Sequence, residues 1–329
     1  MESLFSKDIK KVATRDGYGE AVIELGEADP NVVVLSGDLT ESTRTLKFSK
    51  KFPERYIESG VAEQNMAGMA AGLAFEGKIP FVSSFAVFSP GRNWDQIRVS
   101  ICYSKANVKI AGSHTGLITG GDGATHQALE DIAMTRCLPN MVVLAPCDSI
   151  ETKKATIAAA KHQGPVYIRF AREKTPVFTT EETPFNIGKA LVLRDGEDAS
   201  IIACGTMVYP ALQASEELSK EGYSVRVVDN PSIKPIDVDT IVACARDTGA
   251  IVTAEEHQIY GGLGGAVAEV LTTNLPAPQE IVGVMDTFGE SGESDELWQK
   301  YGLTVEHIVR AVKKAIERKA GGFEVRKVV

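Results

Sequence analysis

The chain is short of cysteine, has no excess of positive charge and contains no long apolar run. Each absence excludes something. The five cysteines, Cys102, Cys137, Cys147, Cys204 and Cys244, are odd in number and never stand in C-x-x-C spacing, which argues against a disulfide framework or a zinc site and suits reduced thiols in the cytoplasm. Thirty-five Lys and Arg face 44 Asp and Glu for a net charge of −9, so neither nucleic acid nor an anionic membrane is expected as the main partner. No stretch reaches the roughly 18 uninterrupted apolar residues of a membrane span, and the first residues lack the apolar core of a signal peptide. No internal repeat or low-complexity tract is evident.

What is present is 43% hydrophobic residues over 329 positions, enough for two cores. Continuous β-branched runs predict strands at 31–36, 79–84, 107–112, 141–145 and 166–170, with helices at 15–27, 62–75, 93–103, 127–137 and 149–162. Such alternation implies an α/β fold with a doubly wound, mostly parallel sheet. Between 173 and 188 the periodicity stops in a polar, proline-bearing connector. A smaller α/β C-terminal unit follows, with strands at 199–204, 224–229, 250–254 and 280–285 and helices near 209–220, 239–246 and 265–271. A last helix sets Val305, Ile308, Val309, Val312 and Ile316 on one face. The expected division is therefore 1–185 and 186–329.

Two stretches carry the chemistry. In the run from Ser59 to Ala74, Glu63 opens a helix that from Ala67 to Phe75 holds only Ala, Gly, Met, Leu and Phe, so the helix is expected to be buried on all sides, with Gly68 and Gly72 suiting a subunit interface as well as a core. A buried carboxyl is costly unless hydrogen-bonded, and recurs where a proton is held or passed; the plainer reading is a helix-terminal carboxylate paired with backbone amides. The second stretch, Gly112 to Gln127, places His114, Asp122 and His126 in a glycine-rich turn after a strand, where backbone can approach a ligand and imidazoles can donate or shuttle protons. The plainer and less favoured reading is a flexible loop whose histidines merely cap the next helix. Phe85 and Phe88 could stack a planar heterocycle or simply be core. Arg15, Ser42, His114 and Arg172 would suit a phosphate if the fold brought them together. The glycines from Gly261 to Gly265 lack the third glycine of a dinucleotide loop and read as a close-packed helix start.

Over essentially its whole length the chain resembles the C-terminal half of transketolase, its pyrimidine-binding domain followed by its C-terminal domain. The segment Gly60 to Met66 resembles the family's glutamate motif, which implies that Glu63, kept protonated by burial, contacts N1′ of thiamine diphosphate. Ser84 to Phe88 with Trp94 to Arg98 resembles the pyrimidine pocket, implying Phe85 and Phe88 as ring contacts, and Asp38 matches an aspartate near the thiazolium. His114, Asp122 and His126 stand at the family's spacing for sugar-phosphate hydroxyls, the histidines also assisting proton transfer, and Arg15, Ser42 and Arg172 match its phosphate-end residues. In some members an aromatic follows the second pocket phenylalanine by three residues; here Gly91 stands there. The segment Asp286 to Gly292 resembles the family's C-terminal domain.

The resemblance implies transfer of a two-carbon ketol unit from a ketose phosphate to an aldose phosphate, as in the pentose phosphate pathway. Thiamine enzymes hold Mg²⁺ through a Gly-Asp-Gly aspartate and an asparagine about 25 to 30 residues on. Here Gly121-Asp-Gly123 has no such asparagine, so no metal is expected on this chain. Mg²⁺ and the diphosphate are then expected on a partner equivalent to the N-terminal part of transketolase, in an α2β2 heterotetramer of a split-gene enzyme. The alternatives are the β subunit of a 2-oxoacid dehydrogenase, a deoxyxylulose phosphate synthase fragment, and a non-catalytic scaffold of the same fold.

Overall fold

The computed structural model describes residues 5–321 except 7. Its larger sheet has seven strands in the spatial order Ser232–Lys234, Val142–Leu144, Val166–Phe170, Lys109–Ser113, Ile79–Phe85, Val32–Ser36 and Tyr56–Glu58. Six run parallel, and Ser232–Lys234 is antiparallel. Every residue of Val32–Ser36, Lys109–Ser113 and Val166–Phe170 is buried, as the β-branched runs require when helices cover both faces. The helices Thr14–Ala28 and Ser149–Lys161 pack so closely that a Cβ on Gly17 would lie 2.0 Å from the Ser149 carbonyl oxygen. Only glycine fits that crossing.

The smaller sheet has five strands in the order Gln279–Val284, Ile251–Gln258, Ala199–Ala203, Val225–Asp229 and Leu191–Arg194, the last antiparallel. The expected α/β architecture is therefore present in both parts. The two are stitched together, because Ser232–Lys234 follows Val225–Asp229 of the smaller sheet in sequence and yet pairs with Val142–Leu144 of the larger one. Glycines 261–265 do open a helix, Leu263–Thr273, whose first amides are taken by the buried Glu255 carboxylate at 2.6 and 2.7 Å. This is a helix-terminal carboxylate of the kind the dipole favours.

Three expectations are corrected. The helix Glu63–Phe75 is not buried on all sides in the isolated chain: Met66, Ala67, Ala70 and Ala71 face the core, while Gln64, Gly68, Gly72 and Phe75 are not buried, Phe75 being exposed by 62%. The helix expected over 93–103 begins as Trp94–Gln96 and widens into a π-helix over Ile97–Tyr103. The helix expected over 127–137 shrinks to Asp131–Arg136, because Ala128 bridges to Thr115 and the Gln127 amide is tied to three carbonyls. No helix among the described residues is long and apolar enough to cross a membrane.

Candidate active site

Parallel register aligns the strand ends. Ser36 lies beside Ser83, Phe85 beside Ser113, and Ser113 beside Phe170, so the turns after these strands open along one rim, where parallel sheets bind ligands. That rim carries Asp38, Phe85, His114 and Arg172.

Glu63 is 1% exposed. Its Oε2 accepts from Arg92 Nη1 at 2.7 Å, its main-chain oxygen accepts from Asn93 Nδ2, and its Oε1 is buried with no partner. The carboxylate caps no backbone amide of its own helix, so the helix-terminal reading is not followed. Arg92 is a charged partner that sequence reasoning missed, although it follows Phe88 by only four residues; its guanidinium also lies over the Phe88 ring, 4.6 Å from the centroid. A Cβ on Gly91 would lie 2.0 Å from the Val87 oxygen. No aromatic could stand at Gly91 with this backbone, and Arg92 lies against Phe88 beside it.

Phe85 stacks on the His114 ring at 3.6 Å between centroids and on Phe88 at 6.0 Å, and His126 meets Phe88 edge-on at 5.5 Å. The phenylalanines are thus packed against both histidines. His114 holds a left-handed backbone at φ +59°, a strained state common at functional sites, and its Nδ1 lies 2.8 Å from the Ser113 hydroxyl. Burial, reinforced by Arg15, Arg172, His126 and Arg44, holds the His114 imidazole down to about 3. It is neutral at physiological pH, able to donate or accept but not to carry charge. His126 is half-buried, its Nδ1 2.9 Å from the Thr125 hydroxyl.

Arg15 donates to the Ser42 main-chain oxygen at 3.0 Å and not to its hydroxyl, while its Nε is buried without a partner. Burial lowers the Arg15 guanidinium, with repulsion from Arg44 and Arg172 adding to it. Crowded cations in a half-buried place favour an anion between them. Arg44, which sequence reasoning also missed, is partnered by Asp16 at 2.6 Å. Arg172 donates to the Thr119 carbonyl at 2.9 Å and pairs with Asp122 at 3.3 Å. Asp122 is therefore engaged by a cation. Asp38 is exposed, and the contact it makes is through its amide, which donates to Glu58 at 2.7 Å; among the described residues nothing joins its side chain to the aromatic cluster.

A second acidic group lies elsewhere. Cys147, Glu151 and Asp229 bring their ligand atoms within 4.8 Å of one another, all buried. Both Asp229 oxygens lack a hydrogen-bond donor among the described residues, and burial followed by Glu151 pushes the Asp229 carboxyl well up. One proton held between Glu151 and Asp229 satisfies that geometry.

Residues 10–177 match the pyrimidine-binding domain of transketolase and 188–308 its C-terminal domain. A protein from Methanocaldococcus jannaschii named "Putative transketolase C-terminal section" is 49% identical over 92% of this chain and 96% of its own length. A 6-deoxy-6-sulfo-D-fructose transketolase subunit from a Clostridium species is 42% identical over 97% and 99%. Among solved structures, a split gene transketolase in the form of an inactive beta4 tetramer superposes with a TM-score of 0.87 at 49% identity, over 94% of this chain and 100% of that one. Transketolase from Leishmania mexicana superposes at 0.80 with 27% identity, and there this chain spans 47% of the other. The chain belongs to the transketolase family, where it matches the pyrimidine-binding and C-terminal domains.

Proposed function

We propose that this chain is the C-terminal subunit of a thiamine diphosphate-dependent transketolase in the cytoplasm, active only when a partner supplies the diphosphate- and Mg²⁺-binding domain. The observation that carries it is Glu63: a buried carboxylate with one oxygen on Arg92 and the other without a partner, beside stacked aromatics. An orphaned buried oxygen calls for a donor or a shared proton, and the aminopyrimidine of the cofactor supplies a ring nitrogen at the edge of a planar system. Glu63, Phe85 and Phe88 would hold that ring. Bound there, the cofactor supplies the nucleophilic carbon and the electron sink that two-carbon transfer needs.

The remaining steps fall to this chain's residues. Glu63 holds or passes a proton at Oε1, fixed in place by Arg92 and Asn93. His114, neutral and stacked on Phe85, and His126 orient sugar hydroxyls and move protons. Arg15 and Arg172, with Ser42 between loop and helix, face the phosphate end, and the unpartnered Arg15 Nε supports an anion there. Asp122 supports a sugar hydroxyl and steadies Arg172, and Asp38 is proposed to approach the thiazolium only in the assembled enzyme. A ketose phosphate is the proposed donor and an aldose phosphate the acceptor. The cationic rim favours this over a 2-oxoacid dehydrogenase β subunit, whose substrate carries no phosphate.

A partner is supported by the outer face of Glu63–Phe75, where Gly68 and Gly72 have nothing within 4 Å of a Cβ and Val61, Phe75, Val99 and Tyr103 are exposed. Such a face suits close packing in an α2β2 assembly. The test mixes the chain with the N-terminal partner, thiamine diphosphate and Mg²⁺ and measures ketol transfer from xylulose 5-phosphate to ribose 5-phosphate. Activity in the mixture and none in the chain alone is expected; turnover by the chain alone would remove the split-enzyme reading.

A further inference from the structure

Between the two site histidines runs a segment in which both main-chain groups of Ile118 are met by side chains after 190. Ile118 N donates to Glu256 Oε1 at 2.6 Å. The Ile118 carbonyl accepts from the Ser294 hydroxyl at 3.2 Å. Gln127, next to His126, donates from one amide nitrogen to Gly120 O at 3.2 Å and Glu290 O at 2.9 Å. From the larger sheet's side comes the Arg172 bond to Thr119 O.

Glu256 is the centre of this arrangement. It is 2% exposed and lies on Ile251–Gln258 of the smaller sheet, 138 residues from Ile118. Its two oxygens receive three donors: Ile118 N, Trp298 Nε1 at 2.8 Å and Thr206 Oγ1 at 2.7 Å. Burial raises the carboxyl above the ordinary carboxylate range, and these three donors offset only part of that rise. Its main-chain oxygen accepts from Arg169, which is paired with Asp131. The fit is close: a Cβ on Gly116, whose φ is +80°, would lie 2.4 Å from Glu256 Cδ, and one on Gly289 would lie 2.0 Å from Gln127 Oε1.

We propose that Glu256 is a positioning residue for the substrate loop: by fixing Ile118 from the C-terminal sheet, it sets where His114 and His126 stand against Phe85 and Phe88. The contribution of the C-terminal domain to this site is thus to anchor the loop. This rests on the sugar-phosphate reading of the loop. A carboxylate is needed, since the amide introduced by Glu256→Gln offers one acceptor oxygen and turns an N–H toward a donor.

Glu256→Gln is tested in the chain assembled with its partner, thiamine diphosphate and Mg²⁺. The KM for the ketose phosphate donor rises about tenfold while kcat changes by less than about threefold, and cofactor affinity and melting temperature stay near wild type. Trp298→Phe, which keeps an aromatic ring and removes one donor, shifts KM in the same direction by about threefold. Amide hydrogen exchange of residues 116–123, measured on the chain alone, speeds up by about tenfold or more in Glu256→Gln. An unchanged KM, or a KM change that merely follows lost cofactor binding and a lower melting temperature, overturns the proposal. If the wild-type assembly transfers no ketol unit, the functional reading falls, and the exchange measurement alone decides: unchanged protection of 116–123 overturns the anchoring as well.

Discussion

Glu63 shows how much a single side chain's neighbours matter. Its apolar helix marks it out in sequence, but the ion pair with Arg92 and the empty Oε1 depend on where the 85–93 turn crosses that helix. Arg92 is half exposed, so it can be solvated if its partner becomes neutral. Glu63→Gln is therefore expected to keep the fold, with a melting temperature within a few degrees of wild type, and to lower turnover of the assembled enzyme by about 10²-fold or more through loss of the proton-carrying group. Steady-state kinetics beside a thermal melt checks this; near wild-type activity would remove Glu63 from the mechanism. His114 and Arg15 make the same point: both identities are legible in sequence, but the neutral imidazole and the guanidinium lacking a partner at Nε come from burial and from cations distant along the chain.

At the scale of elements, strands were the most legible, because buried parallel strands are written as β-branched runs. The helix Glu63–Phe75 stands where its apolar run predicts, with one face on the core and the other exposed in the isolated chain. An apolar helix signals that its faces are covered by something, and the sequence does not say whether by its own core or by another chain. Phe75→Glu, at an exposed position of this face, is expected to leave the isolated chain's melting temperature unchanged and weaken association with the N-terminal partner by about tenfold or more, read by titration calorimetry. Unaltered affinity would move the interface elsewhere. The helix Asp131–Arg136 is shorter than the 127–137 that periodicity predicts, because the Gln127 amide donates to carbonyls across the loop, a demand that periodicity does not register.

At the scale of the whole molecule, Asp229 of the smaller sheet meets Cys147 and Glu151 of the larger one's side. Burial raises both carboxyls, Glu151 adds to the rise at Asp229, Asp148 repels both, and Cys147 itself is held up as a neutral thiol. Folded-state values above the unfolded ones mean that the folded chain binds protons more tightly. Stability from this pair is then complete below the unfolded carboxylate range near 4 and declines as pH rises toward the raised folded values. Asp229→Asn should raise the melting temperature at pH 8 relative to wild type by several degrees and change it little at pH 4.5. Thermal melts across that range test it, and an equal shift at both pH values would remove the shared proton.

The sequence by itself determined the alternation of strands and helices and the family, and it singled out Glu63, Phe85, Phe88, His114 and His126 as candidate site residues, because these depend on local periodicity and on motifs a few residues long. Tertiary structure alone decided that Arg92 and Arg44 join the site, that Ser42 contributes its carbonyl to Arg15, that Ser232–Lys234 crosses to the larger sheet, and that Glu256 holds a loop 138 residues away. These are pairings between distant positions, fixed by strand register and by the need to satisfy buried polar groups, and no local pattern encodes them.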